Sequence, residues 1–299
     1  MPKDNRSIIL IAGPTASGKS ALALKMARER GGMVINADSM QVYRELHVLT
    51  ARPSAAEEGE APHRLYGYVA GAQAHSVSHW LADVEAALAE AEYLGLCPII
   101  VGGTGLYFKA LTEGLSPVPP IPDDVRQHWR AEARRDPARL YETLRERDPD
   151  MAKRLAPGDA QRITRAVEVI DATGISLAEW QGRPGRPLVD ITSCERLLVV
   201  RPREDLHRRC DERFDAMMAS GALDEVRALM QLGLSPDLPV MRALGVAPLA
   251  AYLDGACSHE EAVARAKTET RQYVKRQETW TRKFMADWWC IDGNSNIIA

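Results

Sequence analysis

Residues 13–20 read "GPTASGKS", and residues 7–12 just before them read "SIILIA". The earlier run is β-branched and apolar, and its length suits a buried parallel strand. The later run matches G-x-x-x-x-G-K-[ST] in full. The segment "SALALKMARER" (20–30) that follows is rich in helix formers and stops at Gly31-Gly32. Strand, glycine-rich loop and helix in that order make a phosphate-binding loop. The glycines let backbone N–H groups wrap a polyphosphate, and the helix points its positive end at it. Lys19 adds a charge, and the Ser20 hydroxyl can ligate Mg2+. A chance match in a chain of 299 residues is on the order of one in a hundred. Gly13, Pro14, Thr15, Ala16, Ser17, Gly18, Lys19 and Ser20 are the expected diphosphate or nucleotide site.

The same alternation continues outward. "MVINAD" (33–38) is a second strand ending in Asp38, and a helical stretch at 76–94 precedes "CPIIVGG" (97–103), a third strand. Strands alternating with helices predict an α/β fold with a parallel sheet, P-loop NTPase-like and flanked by helices. Ligands of such sheets bind at the carboxyl ends of the strands. The loop at 13–20, Asp38 and Gly102-Gly103-Thr104 all close strand ends, so they should converge on one site.

The alternation then breaks. "SPVPPIP" (116–122) holds four prolines in seven residues, and "GRPGRP" lies at 182–187. Between them the sequence reads as helices at 123–135, 137–147 and 159–172, with no buried strand. The expected organisation is a catalytic core of 1–115 and 194–299 with an all-helical domain inserted at 116–193 on stiff Pro-rich hinges. "ERLLVVRP" (195–202) returns to the sheet, a helix follows at 205–218, further helices run to 284, and "WWCID" (288–292) is a last strand.

Composition excludes several classes. Hydrophobic content of 45% and charged content of 26% are those of an ordinary globular protein. No run of 18 apolar residues predicts a membrane span, and the N-terminus lacks a signal peptide's features. Five scattered cysteines without C-x-x-C argue against a disulfide frame or zinc site and for the cytoplasm. Nothing demands more than a monomer. A net charge of −3 gives no global attraction to nucleic acid, so any such attraction must be local. The insert is balanced, with 13 Lys/Arg and 13 Asp/Glu over 123–190. Residues 265–283 are not: seven basic residues, Lys275 and Arg276 among them, face two acidic ones, with Tyr273 and Trp280 interleaved. That segment reads as a phosphate-binding helix.

The loop does not say which bond breaks. An ATPase or GTPase carries an apolar strand ending in an Asp that helps hold Mg2+, whereas "CPIIVGGTG" ends in Gly-Gly-Thr. Asp38 is the carboxylate at the end of an early strand. It suits a metal-side carboxylate of a small-metabolite kinase, and equally a base acting on an acceptor. The residues alone leave both open.

Over nearly its whole length the chain resembles the tRNA isopentenyltransferase family, in its bacterial dimethylallyltransferase branch. The landmarks are "GPTASGKS" (13–20), "NADSMQVYREL" (36–46), "APHRLYG" (61–67), "PIIVGGTGLYFKAL" (98–111), "GLSPVPP" (114–120), "DAQRITRAVEVIDATG" (159–174), "RFDAMMASGALDEVRAL" (213–229), "LPVMRALG" (238–245) and "TRQYVKRQETW" (270–280). The resemblance implies transfer of a dimethylallyl group from dimethylallyl diphosphate to N6 of the adenosine 3′ of the anticodon, with diphosphate leaving. It implies Mg2+, the anticodon stem-loop of tRNA as partner, and a loop that holds a prenyl diphosphate rather than ATP. By motif position it implies Arg213 on the diphosphate, Asp38 as general base on the adenine amine, and Thr104 bonding near base or donor. It implies tRNA contacts from Asp38, Ser39, Met40, Gln41 and Thr104. From the insert it implies tRNA contacts by Arg126, Gln161, Arg162, Ile163, Thr164 and Arg165. An exocyclic amine in a structured loop must be extruded to react, and a clamp on that loop would be the insert's purpose. An enzyme acting on free adenine nucleotides would need no such clamp. Two stretches depart from the family: "ELHVLTARP" (45–53) stands where many members have "GMDIGTAKP", and Gly245-Val246 where many have Gly-Tyr. The second departure is expected to alter one tRNA or packing contact.

Overall fold

In the computed structural model, which describes residues 7–293, the phosphate-loop stretch becomes β1 (Ile9–Ala12) followed by α1 (Lys19–Arg30). The chain continues through β2 (Gly32–Asn36), α2 (Ala55–Glu60), β3 (His63–Arg64), α3 (Val77–Tyr93), β4 (Cys97–Gly102) and α4 (Gly105–Glu113). Five helices follow: α5 (Asp123–Arg135), α6 (Pro137–Arg147), α7 (Pro149–Ala152), α8 (Ala160–Thr173) and α9 (Leu177–Gly182). Then come β5 (Glu195–Val200), α10 (Arg203–Ala219), α11 (Ala222–Gln231), α12 (Val246–Leu253), α13 (His259–Phe284) and β6 (Trp289–Asp292). The sheet runs β3-β2-β4-β1-β5-β6, and every neighbouring pair is parallel. This is the expected α/β, P-loop NTPase-like sheet. The sequence reading did not include α2, β3 or α4; β3 is two residues long and carries no periodicity to read.

Strand β1 is buried on both faces, which is why it reads as a continuous apolar run. Leu10 faces one core cluster with Met33, Ile35, Trp80 of α3, Phe108 of α4 and Trp288. Ile9 and Ile11 face the other, with Leu22, Ala23 and Met26 of α1. Each such side chain taken fully out of water contributes about 1.5–3 kcal/mol. A third cluster joins α10, α11, α12 and α13 to Val42, Leu46 and Leu49. Local signals set the helix ends: Gly31 caps α1 in the left-handed region, and capping boxes open α3 at Ser76 and α13 at Ser258.

The residues divide into two compact units, 7–112 with 188–293 and Glu113–Pro187. The second carries α5 to α9 on its own core, in which Leu140, Leu144, Ile163, Ala166 and Val167 are buried. The expected boundary at 193 falls instead after Pro187. The N–H groups of Leu188 and Val189 both donate to the Leu111 carbonyl, at 2.9 and 3.2 Å, and Val189 packs into the first core cluster. No helix among the described residues is long and apolar enough to cross a membrane.

Candidate active site

The loop 13–18 leaves β1 at its carboxyl end, flanked by β4 and β5. Gly18 closes it at φ +100, a conformation open to glycine, and so starts α1 with its N–H groups facing the loop. Ala16 is also left-handed, at φ +64, which costs an alanine about 1–2 kcal/mol. The Lys19 ammonium folds back and donates to the Pro14 carbonyl at 3.3 Å. Burial lowers its pKa to about 8, opposed by the negative charge of Asp38 and reinforced by the cation of Arg213. The buried Ser17 hydroxyl has no hydrogen-bond partner. A loop of this shape, with an orphan hydroxyl and a lysine whose ammonium donates to the loop's Pro14 carbonyl, suits an anionic ligand.

Four residues from distant parts of the chain hold the loop in place. Arg213 of α10 donates to the Thr15 hydroxyl. One helical turn earlier, Arg209 Nε donates to the Ala16 carbonyl at 2.9 Å. Arg201, just beyond β5, donates Nε to the Ser17 carbonyl at 2.9 Å. Gln277 of α13 accepts the Thr15 N–H at 2.8 Å and donates to the Gly103 carbonyl at 3.0 Å. A Cβ on Gly103 would stand 2.2 Å from that amide nitrogen, so the clamp needs a glycine there. Burial pushes the Arg213 guanidinium pKa down, while the charge of Asp38 works the other way.

Asp38 sits two residues beyond β2, on a turn shaped by the fully buried Asn36. The Asn36 amide accepts the Asp38 N–H at 2.8 Å and donates to the carbonyls of Asp38 and Leu65 at 2.9 and 3.0 Å. One Asp38 carboxylate oxygen accepts the Met40 N–H at 2.9 Å. Thr104 bridges the ends of β2 and β4: its N–H donates to Ala37 and its hydroxyl accepts the Ser39 N–H at 3.0 Å. Tyr273 adds a hydrogen bond to Thr104, and burial and the Asp38 charge raise its phenol pKa. Asp38, Ser39, Met40, Thr15, Arg213 and Tyr273 line a cleft of about 220 Å³ whose rim includes Arg242, Leu244 and Arg276. The expected convergence of three strand ends is therefore present.

Several expected contacts take other parts. Gln41 spends its amide on the carbonyls of Thr50 and Ala51 at 2.8 and 3.1 Å, so that side chain holds the 41–53 loop. Ile163 is 1% exposed in the insert's core, and Thr164, also buried, donates to the Ala160 carbonyl. Both face inward because α8 has one apolar face. Gln161 and Arg162 are exposed, with Arg162 3.5 Å from Asp159, and Arg165 pairs with the buried Glu168 at 3.5 Å. Arg126 lies 4.0 Å from Asp123. On α13, Lys275 and Arg276 are exposed. Trp280 instead turns inward, where its ring would meet a Cβ on Gly105 at 2.1 Å and lies tilted against Phe284, ring centroids 4.4 Å apart. Val246 is buried at the start of α12, so the Gly-Val departure bears on packing. In the 45–53 departure, the N–H groups of Val48 and Leu49 each donate to Glu225 at 2.9 Å.

Sequence reasoning did not single out Arg201, Arg209, Gln277 or Asn36. The i, i+4 spacing of Arg209 and Arg213 was the available signal for the second. Gln277 lies inside a segment read only for its charge.

Residues 41–284 match the family model described as IPP transferase, and residues 6–69 match one described as isopentenyl transferase. A tRNA dimethylallyltransferase of Methylobacterium nodulans is 56% identical over 284 residues, covering 94% of this chain and 93% of the relative. One from Agrobacterium fabrum is 52% identical over 286 residues, covering 95% and 96%. Among solved structures, a eukaryotic dimethylallyltransferase acting on tRNA superposes with a TM-score of 0.81 at 28% identity, covering 96% of this chain and 74% of that one. The tRNA isopentenylpyrophosphate transferase of Bacillus halodurans does so at 0.67 and 30% identity, covering 97% and 90%.

Proposed function

This chain belongs to the IPP transferase family, and from that premise we propose how it acts. It transfers a dimethylallyl group from dimethylallyl diphosphate to tRNA, onto N6 of the adenosine immediately 3′ of the anticodon. The observation that carries the site assignment is the meeting of Arg213 with Thr15 beside Lys19, in the cleft that also holds Asp38.

The diphosphate end of the donor lies in the loop 13–20, held by backbone N–H groups, Lys19 and Arg213. The adenine amine enters from the Asp38 side. Its nitrogen forms a bond to C1 of the dimethylallyl group while the C1–O bond breaks, and the electron pair of that bond leaves on diphosphate. The amine's lone pair is delocalised into the ring, so attack is eased when Asp38 accepts the departing proton. The leaving charge is neutralised where it develops, by donors already in place. Thr104 keeps the Asp38 turn registered against β4.

Mg2+ fits this site as an ion carried by the diphosphate, with the Ser20 hydroxyl as the chain's own ligand. Among the described residues no group of three His, Cys, Asp or Glu side chains is placed to hold a metal. Mg2+ commonly takes the rest of its shell from phosphate oxygens and water. When bound it supplies charge neutralisation of the leaving group. The tRNA is gripped through phosphate contacts from Lys275 and Arg276, with Arg126, Gln161, Arg162 and Arg165 contributing from the helical unit. One chain carries every group named, so a monomer suffices.

The direct test incubates the purified protein with dimethylallyl diphosphate, Mg2+ and unmodified tRNA, then weighs the digested nucleosides. The expected result is a prenylated adenosine. Unmodified adenosine, with ATP consumed when a metabolite pool is added, would replace this reading with a kinase.

A further inference from the structure

Thr15, Ala16 and Ser17 are three consecutive loop residues, and each is held from outside by an arginine: Arg213, Arg209 and Arg201. The middle one differs in kind. Ala16 is one of three non-glycine residues with positive φ among the described residues. A Cβ crowds the following carbonyl in that conformation, so an alanine leaves it unless something holds it. Two contacts do so here. The Ala16 methyl packs on Leu206, Cys210 and Val274, where α10 meets α13. Its carbonyl takes a charge-assisted hydrogen bond from Arg209 Nε. The left-handed turn also brings Ser17 N–H to the Pro14 carbonyl at 3.3 Å, folding the loop back on itself.

We propose that Arg209 is a positioning residue: through the Ala16 carbonyl it holds the phosphate loop in its strained, ligand-ready turn. The inference rests on the reading of 13–20 as a diphosphate site. It gives Arg209 a part separate from Arg213, which reaches the loop through a side chain at an unstrained residue. It also explains why an arginine lies one turn before Arg213, despite the repulsion between the two cations.

The strain supplies the test, because glycine adopts φ +64 without penalty. Inorganic diphosphate is titrated calorimetrically into the wild type, Arg209→Ala, Ala16→Gly and the double variant. Arg209→Ala is expected to weaken diphosphate binding by about tenfold, the scale of an unheld left-handed alanine. In the Ala16→Gly background, loss of Arg209 is expected to cost less than about threefold, since the turn no longer needs holding. Equal losses in both backgrounds would overturn the proposal and make Arg209 a direct charge on the ligand. Unchanged binding in Arg209→Ala would overturn it too. If Arg209→Ala does not fold, Arg209→Lys is run through the same cycle. Failure of the functional reading is a separate result: a wild type that binds diphosphate but does not prenylate tRNA.

Discussion

The Gln277 side chain accepts the N–H of Thr15 at 2.8 Å, across 262 residues of sequence. Its amide nitrogen also holds the Gly103 carbonyl, so one buried side chain ties α13 to the ends of β1 and β4. That helix also carries the exposed cations Lys275 and Arg276. Gln277→Ala would leave a buried donor and acceptor unpaired, at about 1–3 kcal/mol each. The expected outcome is a lower melting temperature and a KM for the prenyl donor raised by about tenfold. The KM for tRNA should move little. Steady-state kinetics with each substrate varied in turn, beside a thermal melt, checks this; an unchanged donor KM would count against the clamp.

Asp38→Asn keeps an acceptor for the Met40 N–H, so the turn at 38–40 should survive. What it loses is a group able to take the proton from the adenine amine. Turnover is expected to fall by about 10²–10⁴, the usual size of a general-base contribution, with tRNA affinity within a few-fold of the wild type. Single-turnover prenylation and a filter-binding assay read the two quantities separately. Near-normal turnover would remove Asp38 from that role.

Lys19 predicts a pH dependence. Burial brings its pKa down from 10.5 to about 8, so between those values the folded protein binds fewer protons than the unfolded chain. Stability of the ligand-free protein should therefore rise with pH across that window. Diphosphate affinity runs the other way, because the ammonium that the anion needs is lost above about 8. Calorimetric titration with diphosphate from about pH 7 to about pH 9 should show the decline, and Lys19→Arg, always charged, should flatten it. A wild-type affinity constant through that range would contradict it.

Lys275 and Arg276 protrude from α13 without burying their charges. Replacing both by Ala should weaken tRNA binding and reduce the salt slope of log K by about 1–2, since each phosphate contact contributes about 0.7–0.9. Binding measured at several salt concentrations gives the slope. An unaltered slope would place the RNA elsewhere.

Much of this was legible locally. Strand β1, the loop and α1 could be read because apolar runs, glycine spacing and helix caps act within a few residues of each other. The same holds for α6 and α8 in the insert, whose starts carry capping aspartates, Asp136 and Asp159. Fold class, phosphate loop and the strand-end position of Asp38 follow from such signals.

Other features depend on which elements pack together. Ile163 and Thr164 lie in a motif otherwise rich in polar residues, yet α8 turns them into its core while Gln161 faces out. Trp280 lies in a segment read as a phosphate-binding helix, yet α13 settles on Gly105 and turns that ring inward. Arg201 and Gln277 carry no local mark of a site, and Arg209 only its spacing to Arg213. They become site residues because β5, α10 and α13 bring their donors and acceptors to the unpaired backbone groups of a loop nearly two hundred residues or more away. Short-range patterning thus determined the longer strands, most of the helices and the phosphate loop, since propensity and capping are local. The supports of that loop were decided by tertiary packing, because a buried carbonyl or N–H can be satisfied by whichever side chain the fold delivers to it.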